Sequence, residues 1–177
     1  MMTSKARQLL ILRHAKSAWD TGVVNDFDRP LSTRGKQDAP RVGGWLRQQG
    51  LVPDVVVSSP AKRARKTTTK VCRELGIPKQ EIWWEPRVYA ATTETLLEVL
   101  SECRADAQIL LLVGHNPGLE NLLGYLCGSA VSLPADGKLL PTATLARLRV
   151  AAHWKHLQPH CATLVSIIRP RSPPADV

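Results

Sequence analysis

Gln108-Ile109-Leu110-Leu111-Leu112-Val113 runs directly into Gly114-His115-Asn116-Pro117. Five consecutive apolar residues closed by glycine suit a buried strand. The Asn-Pro pair that follows suits the start of a helix, extending to about Cys127 before Gly128. Two earlier stretches repeat this arrangement. Arg7 to Leu12 is a short apolar run ending in Arg13-His14, and Asp54 to Ser58, with Val55, Val56 and Val57 unbroken, leads into Ser59-Pro60-Ala61-Lys62-Arg63.

Helical spacing fills the gaps between these runs. Thr33 to Gln49 carries Ala39, Val42, Trp45 and Leu46 on one face and stops at Gly50. Ser59 as N-cap and Pro60 at the first helical position open a second helix. Ala61, Ala64, Thr68, Val71, Cys72 and Leu75 line one of its faces, and Gly76 and Pro78 close it. A short strand over Ile82 to Glu85 precedes a helix over Thr93 to Cys103, and strands over Thr144 to Val150 and Thr163 to Ile168 finish the chain. Strands alternating with helices predict an α/β fold, a three-layer α/β/α sandwich around a mostly parallel sheet with more exposed strands at its end. One domain is expected over 1–170, with 171–177 a disordered tail.

The 177 residues, 44% hydrophobic and 22% charged, have the composition of a globular domain and exclude a disordered or membrane class. The apolar run Leu9 to Leu12 is too short for a signal peptide or a membrane span, so a cytoplasmic location is expected. Four cysteines with no C-x-x-C pair read as buried thiols. A net charge of +9 favours anionic partners. The basic residues are spread along the chain, however, so nucleic acid is not expected as the main partner. His153, His156 and His160 stand close to Cys161 but among Trp154 and Pro159 in a strand-flanking region, and no metal or other cofactor is expected. Trp45 is expected in the core. Trp83 and Trp84 face opposite sides of a short strand, and one of them is expected to be exposed.

Ligands of open α/β sheets bind beyond the carboxyl ends of the strands. There the three buried runs deliver Arg13-His14, Ser59 to Arg63, and Gly114-His115-Asn116. Two of them feed helix N-termini, which favour anions. Arg63, on the first turn, can reach the same cup, whereas Arg65 is turned away. Two histidines beside two arginines suit phosphoryl transfer, in which the equatorial oxygens must be neutralised and the nucleophile held in line. One of the histidines is a candidate nucleophile, since neutral imidazole is available near pH 7.

Leu12-Arg13-His14-Ala15-Lys16-Ser17, Ser59-Pro60-x-x-Arg63-Ala64-x-x-Thr67 and Gly114-His115-Asn116-Pro117, in that order, resemble the histidine phosphatase (phosphoglycerate mutase-like) superfamily. Arg29-Pro30-Leu31, Thr33-x-Gly35, Val88-Tyr89-Ala90 and the closing Arg169-Pro170 resemble its short SixA-type phosphohistidine phosphatases. The resemblance implies a His14 nucleophile, a phosphate pocket of Arg13, Arg63 and His115, and a covalent phosphohistidine intermediate. Lys16, Ser17 and Asn116 join the substrate-binding set, and Lys16, Arg29, Lys62 and Arg65 are expected to frame the mouth. Many members have glycine where Ala15 stands.

Other branches supply a carboxylic acid where this chain has Tyr89-Ala90-Ala91, which leaves Asp26, Asp28 and Glu94 as weak candidates for a proton donor. The imidazole of phosphohistidine, with a reference pKa of ~6.5, leaves more readily than an alkoxide. A phosphohistidine-bearing protein is therefore the expected substrate and a monomer the expected state. The alternatives are a phosphatase of a small phosphorylated metabolite and, from another class, a non-catalytic basic module that binds phosphate or nucleic acid.

Overall fold

In the computed structural model, which describes residues 6–128 and 131–171 together with the backbone of 175–176, the apolar runs pair into one sheet. Its strands are β1 (Arg7–Arg13), β2 (Val55–Ser58), β3 (Ile82–Trp84), β4 (Ile109–Gly114), β5 (Leu145–Val150), β6 (Ala162–Ile168) and β7 (Ala175–Asp176), in the order β3-β2-β4-β1-β5-β6-β7. The four strands β3, β2, β4 and β1 run parallel, and β5, β6 and β7 add antiparallel neighbours.

Side-chain alternation along the parallel strands sorts the core into two layers. Leu9 and Ile11 of β1 and Leu110 and Leu112 of β4 pack with Leu96, Val99 and Leu100 of α3 (Thr93–Ser101) and Leu119, Leu122 and Leu123 of α4 (Gly118–Cys127). Their neighbours Leu10, Leu12, Leu111 and Val113 face the other way, onto Ala39, Val42 and Leu46 of α1 (Thr33–Gln48) and Val71 and Cys72 of α2 (Lys62–Leu75). Full burial of each such aliphatic side chain is worth about 1.5–3 kcal/mol, and both faces of the sheet contribute. The α/β/α sandwich follows from this alternation.

Two helix starts differ from the sequence expectation for one physical reason, which is that their polar side chains are engaged elsewhere. Helix α2 begins at Lys62 with Ala61 in the cap position and no side-chain cap. The Ser59 hydroxyl instead accepts from the Ala61 amide at 3.2 Å and bonds His115. Helix α4 begins at Gly118, while the Asn116 amide donates to Glu120 Oε1 at 2.9 Å and to the Leu140 carbonyl at 3.0 Å. By contrast, Ser32 caps α1 through the Gly35 amide and Thr92 caps α3 through that of Thr95.

The expectation of exposed closing strands fails for β5, which is enclosed between β1 and β6 with Leu145, Ala146, Leu148 and Val150 buried. Neither Trp83 nor Trp84 is exposed, because the sheet is covered on both sides and each packs against one core layer. Trp45 packs partly buried against the layer under α1. Trp154 is wholly buried, its Nε1 donating to the Ala107 carbonyl at 2.9 Å. Cys72, Cys103 and Cys127 are buried free thiols, and Cys161 is half-buried. Beyond β6, Arg171 pairs with Asp38, and the backbone of Ala175–Asp176 runs antiparallel to β6. The remainder of the tail, 172–174 and 177, lies outside the described residues. Among the described residues no helix is long and apolar enough to cross a membrane.

Two adjacent glycines of α1 test the α1–α2 contact. A Cβ on Gly43 would stand 2.7 Å from the Val71 carbonyl oxygen of α2, whereas one on Gly44 would meet nothing within 4 Å. Gly43→Ala should cost about 1–3 kcal/mol by overpacking, and Gly44→Ala should gain up to about 1 kcal/mol of helix propensity. Denaturant titration should therefore give shifts of opposite sign.

Candidate active site

The order β2-β4-β1 brings the three motif-bearing strand ends side by side. Beyond the regular ladder the backbones stay joined, His14 N donating to the Gly114 carbonyl at 3.1 Å and Ser59 N to the Val113 carbonyl at 3.0 Å. Arg13, His14, Ser59 and His115 consequently open onto one edge of the sheet. The first turn of α2 adds Arg63.

His14 is buried, and its two ring nitrogens are told apart by their partners. Nδ1 lies 2.8 Å from the Ala15 carbonyl oxygen, which can only accept, so Nδ1 carries the proton. Arg63 Nε then donates to Nε2 at 3.2 Å, which requires a lone pair there. Ala15 is itself held in place. Its amide donates to Thr67 Oγ1 at 2.9 Å, and the Thr67 hydroxyl donates to the Arg63 carbonyl at 2.8 Å.

His115 stands opposite, with ring centroids 5.1 Å apart and its Nε2 2.8 Å from Ser59 Oγ. Its buried Nδ1, like the Nε of Arg13, has no hydrogen-bond partner among the described residues. Burial lowers the His14 pKa to about 3, helped by the charges of His115, Arg63 and Arg13 and opposed by the Ala15 hydrogen bond. For His115 burial again leads, followed by the Arg63 charge, and the value falls to about 4. Both rings are neutral at pH 7. Arg13 Nη1 donates to the Leu140 carbonyl at 2.9 Å, and the same carbonyl accepts from Asn116.

Of the three carboxylates considered as proton donors, the structure brings one to the cup. Asp26 Oδ2 accepts from Arg63 Nη2 and from the Tyr89 hydroxyl, each at 2.9 Å, and Arg29 Nη2 lies 3.3 Å from its Oδ1. Burial works to raise its pKa, but the Tyr89 and Arg63 hydrogen bonds and the two arginine charges outweigh it. The carboxyl is held below its usual range. Asp28 and Glu94 are exposed, and neither makes a hydrogen bond or ion pair to the cup residues among those described.

Ser17 is buried in a bridge to Leu31, while Lys16 is exposed. Their loop is clamped to the start of α1, the Lys16 carbonyl accepting from Ser32 N at 2.8 Å and from Ser32 Oγ at 3.0 Å. A Cβ on Gly35 would collide with that carbonyl, which explains glycine at this position. Around the mouth the Arg29 guanidinium lies 3.7 Å over the exposed Trp19 ring. Arg65 turns outward, over Trp84.

Tyr89 stood in a quoted motif without a role at the site, whereas its ring packs edge-on to His115 at 5.3 Å, and Ser59, expected as a helix cap, bonds His115. Thr67 stood in a quoted motif, but its role as the link between Ala15 and Arg63 depends on contacts distant in sequence. Among the described residues no group of three or more His, Cys, Asp and Glu side chains is placed to hold a metal ion, the His153 to Cys161 group included.

Residues 9–85 match the profile of the histidine phosphatase superfamily (branch 1). An uncharacterized protein of Mycobacterium tuberculosis is 37% identical over 164 residues, covering 90% of this chain and all of the relative. The structure of a candidate phosphohistidine phosphatase SixA from Nakamurella multipartitia superposes with a TM-score of 0.82 at 27% identity, over 94% of this chain and 98% of that one. Its counterpart from Agrobacterium tumefaciens superposes with a TM-score of 0.77 at 30% identity, over 93% and 99% of the two chains.

Both histidines should stay neutral far below their ordinary pKa near 6.5, with folded values of about 3 and about 4. Because the unfolded chain binds these protons first, stability should fall as pH drops from about 6.5 toward about 3. Nitrogen-15 NMR should find the Nδ1–H tautomer of His14 unchanged between pH 5 and 8. Titration of His14 near 6.5 would contradict this geometry.

Proposed function

The chain belongs to the histidine phosphatase superfamily, in its SixA-type branch, and on that premise we propose that it hydrolyses phosphohistidine displayed on proteins, with Nε2 of His14 as nucleophile. The observation that carries the reading is the pair of contacts on His14, a proton on Nδ1 fixed by the Ala15 carbonyl and a lone pair on Nε2 beside Arg63. An imidazole so fixed is a nucleophile needing no separate base.

In the first step Nε2 attacks phosphorus, the N–P bond of the substrate breaks, and the leaving group departs as neutral imidazole when its other nitrogen carries a proton. The phosphoryl group passes to Nε2. Water then attacks phosphorus, the His14 N–P bond breaks, inorganic phosphate leaves, and the lone pair returns. Arg13 and Arg63 offset charge on the equatorial oxygens. As the phosphoryl group approaches Nε2, the Arg63 Nε donor transfers from the ring to an oxygen. His115 Nδ1, if it carries the ring proton, supplies a further donor. Lys16, Ser17 and Asn116 complete the binding set, Asn116 by holding the Leu140 segment against Arg13.

The choice of an N–P substrate is supported by the state of Asp26. An ionised carboxylate committed to Arg63 and Tyr89 is a poor source of the proton that an alkoxide leaving group requires. Phosphohistidine makes a smaller demand.

Turnover of free phosphohistidine and a histidine-phosphorylated carrier protein should exceed that of sugar phosphates and persist in EDTA. His14→Ala should lower it at least about 10³-fold, while Asp26→Asn should stay within about tenfold, since a lost general acid costs more. Preference for one sugar phosphate would move the assignment to a small metabolite, and a His14→Ala enzyme as active as wild type would remove His14 as nucleophile.

A further inference from the structure

Beside the cup lies a groove of about 560 Å³, lined by Lys62, Arg65 and Lys66 of α2, by Lys79 and Trp84, and by Asp28. A second hollow of about 390 Å³ shares Lys66 and Lys79 with it and continues along α2 to Lys70 and Arg73. The groove adjoins the cup through the chain itself. Pro60 follows Ser59, Lys62 precedes Arg63, and Phe27 and Asp28 belong to the same short turn as Asp26.

The charges here are arranged against the stability of the helix that carries them. The first turn of α2 contains no acidic residue, yet it presents Lys62, Arg65 and Lys66 at the end where the helix dipole is positive. Lys62 and Lys66, Lys66 and Lys70, and Lys70 and Arg73 are like-charge neighbours three or four residues apart, each pair unfavourable. Elsewhere several surface arginines are compensated, Arg34 and Arg41 by Asp38, Arg87 by Glu85 and Glu102, and Arg169 by Asp136, while the exposed Arg149 stands singly rather than in a cluster. Among the described residues none of the six groove cations makes an ion pair, the ten pairs lying elsewhere.

We infer that this groove docks an acidic segment of the phosphoprotein whose phosphohistidine enters the cup, an inference that rests on the function proposed above. From Lys62 to Arg73 the helix rises about 17 Å, the length of about five extended residues. An Asp- or Glu-rich strand laid along it places its end at Lys62, next to Arg63 and the phosphoryl site. Trp84, with the Arg65 guanidinium carbon 5.2 Å from its ring centroid, gives the groove an apolar side wall.

Fluorescence anisotropy of a labelled peptide of about six Glu and Asp residues tests the groove without any turnover. Lys66→Glu/Lys79→Glu should weaken peptide binding at least about tenfold and flatten its salt dependence. Arg149→Glu/Lys155→Glu, with the same charge change on another surface, should keep it within about twofold. In parallel, the groove variant should lose at least about tenfold in kcat/KM on an acidic phosphohistidine protein, through KM, and keep free phosphohistidine turnover. Equal peptide binding by all three proteins, or binding by none, overturns the docking site, as does an oligonucleotide of equal charge that binds the groove more tightly. If binding follows the groove while no phosphohistidine substrate turns over, the docking site stands and the proposed reaction falls. If free phosphohistidine turns over and the peptide ignores the groove, the reverse holds.

Discussion

The hydrogen bond from His14 Nδ1 to the Ala15 carbonyl, 2.8 Å long and formed with the next residue in the chain, decides which ring nitrogen keeps a lone pair. Every other element of the site is arranged around the nitrogen left free. Gly114 receives the His14 amide, Thr67 receives the Ala15 amide, and Thr67 ties that contact to the Arg63 backbone. Three chain segments more than forty residues apart thus fix one ring, and the parallel pairing of β1 with β4 and β4 with β2 makes this possible. A slip of one residue in either register would turn that strand's side chains to the opposite core layer and carry its motif residues out of line with the others.

Such a site opposes stability. Two histidines are kept neutral by burial, two arginines approach them, and Arg13 Nε and His115 Nδ1 are buried without partners among the described residues. Each unsatisfied group costs about 1–3 kcal/mol. The two aliphatic layers under α1–α2 and α3–α4 offset that cost. An anion in the cup would satisfy the same donors, so phosphate analogues should be felt as stabilisers. Asp26 now supplies negative charge to Arg63 from the side, and Tyr89 holds it there.

Much of this was legible in the chain because the decisive signals are local. Unbroken runs such as Leu110 to Val113 and Val55 to Val57 declare strands buried on both faces, and helical spacing in Thr33 to Gln49 declares what covers them. The strand-end rule then gathers Arg13, His14, Arg63 and His115 without reference to coordinates. What stayed hidden depends on contacts distant in sequence. Ser59 has the composition of a cap but bonds His115, and Asn116 looks like a helix start but bonds Glu120 and Leu140. Tyr89 meets Asp26 from sixty-three residues away, a contact no periodicity encodes. More exposed strands were expected at the end of the sheet, whereas β5 lies between β1 and β6.

The proposed reaction requires that phosphorus bond to one nitrogen of one histidine. Rapid acid-free quenching of the enzyme during turnover of phosphohistidine, followed by phosphorus-31 NMR and peptide mass spectrometry, reads that bond directly. An alkali-stable, acid-labile phosphoryl group on Nε2 of His14, formed and lost at the catalytic rate, is expected. Phosphate on Nδ1, on His115, or on no residue while turnover proceeds would contradict it.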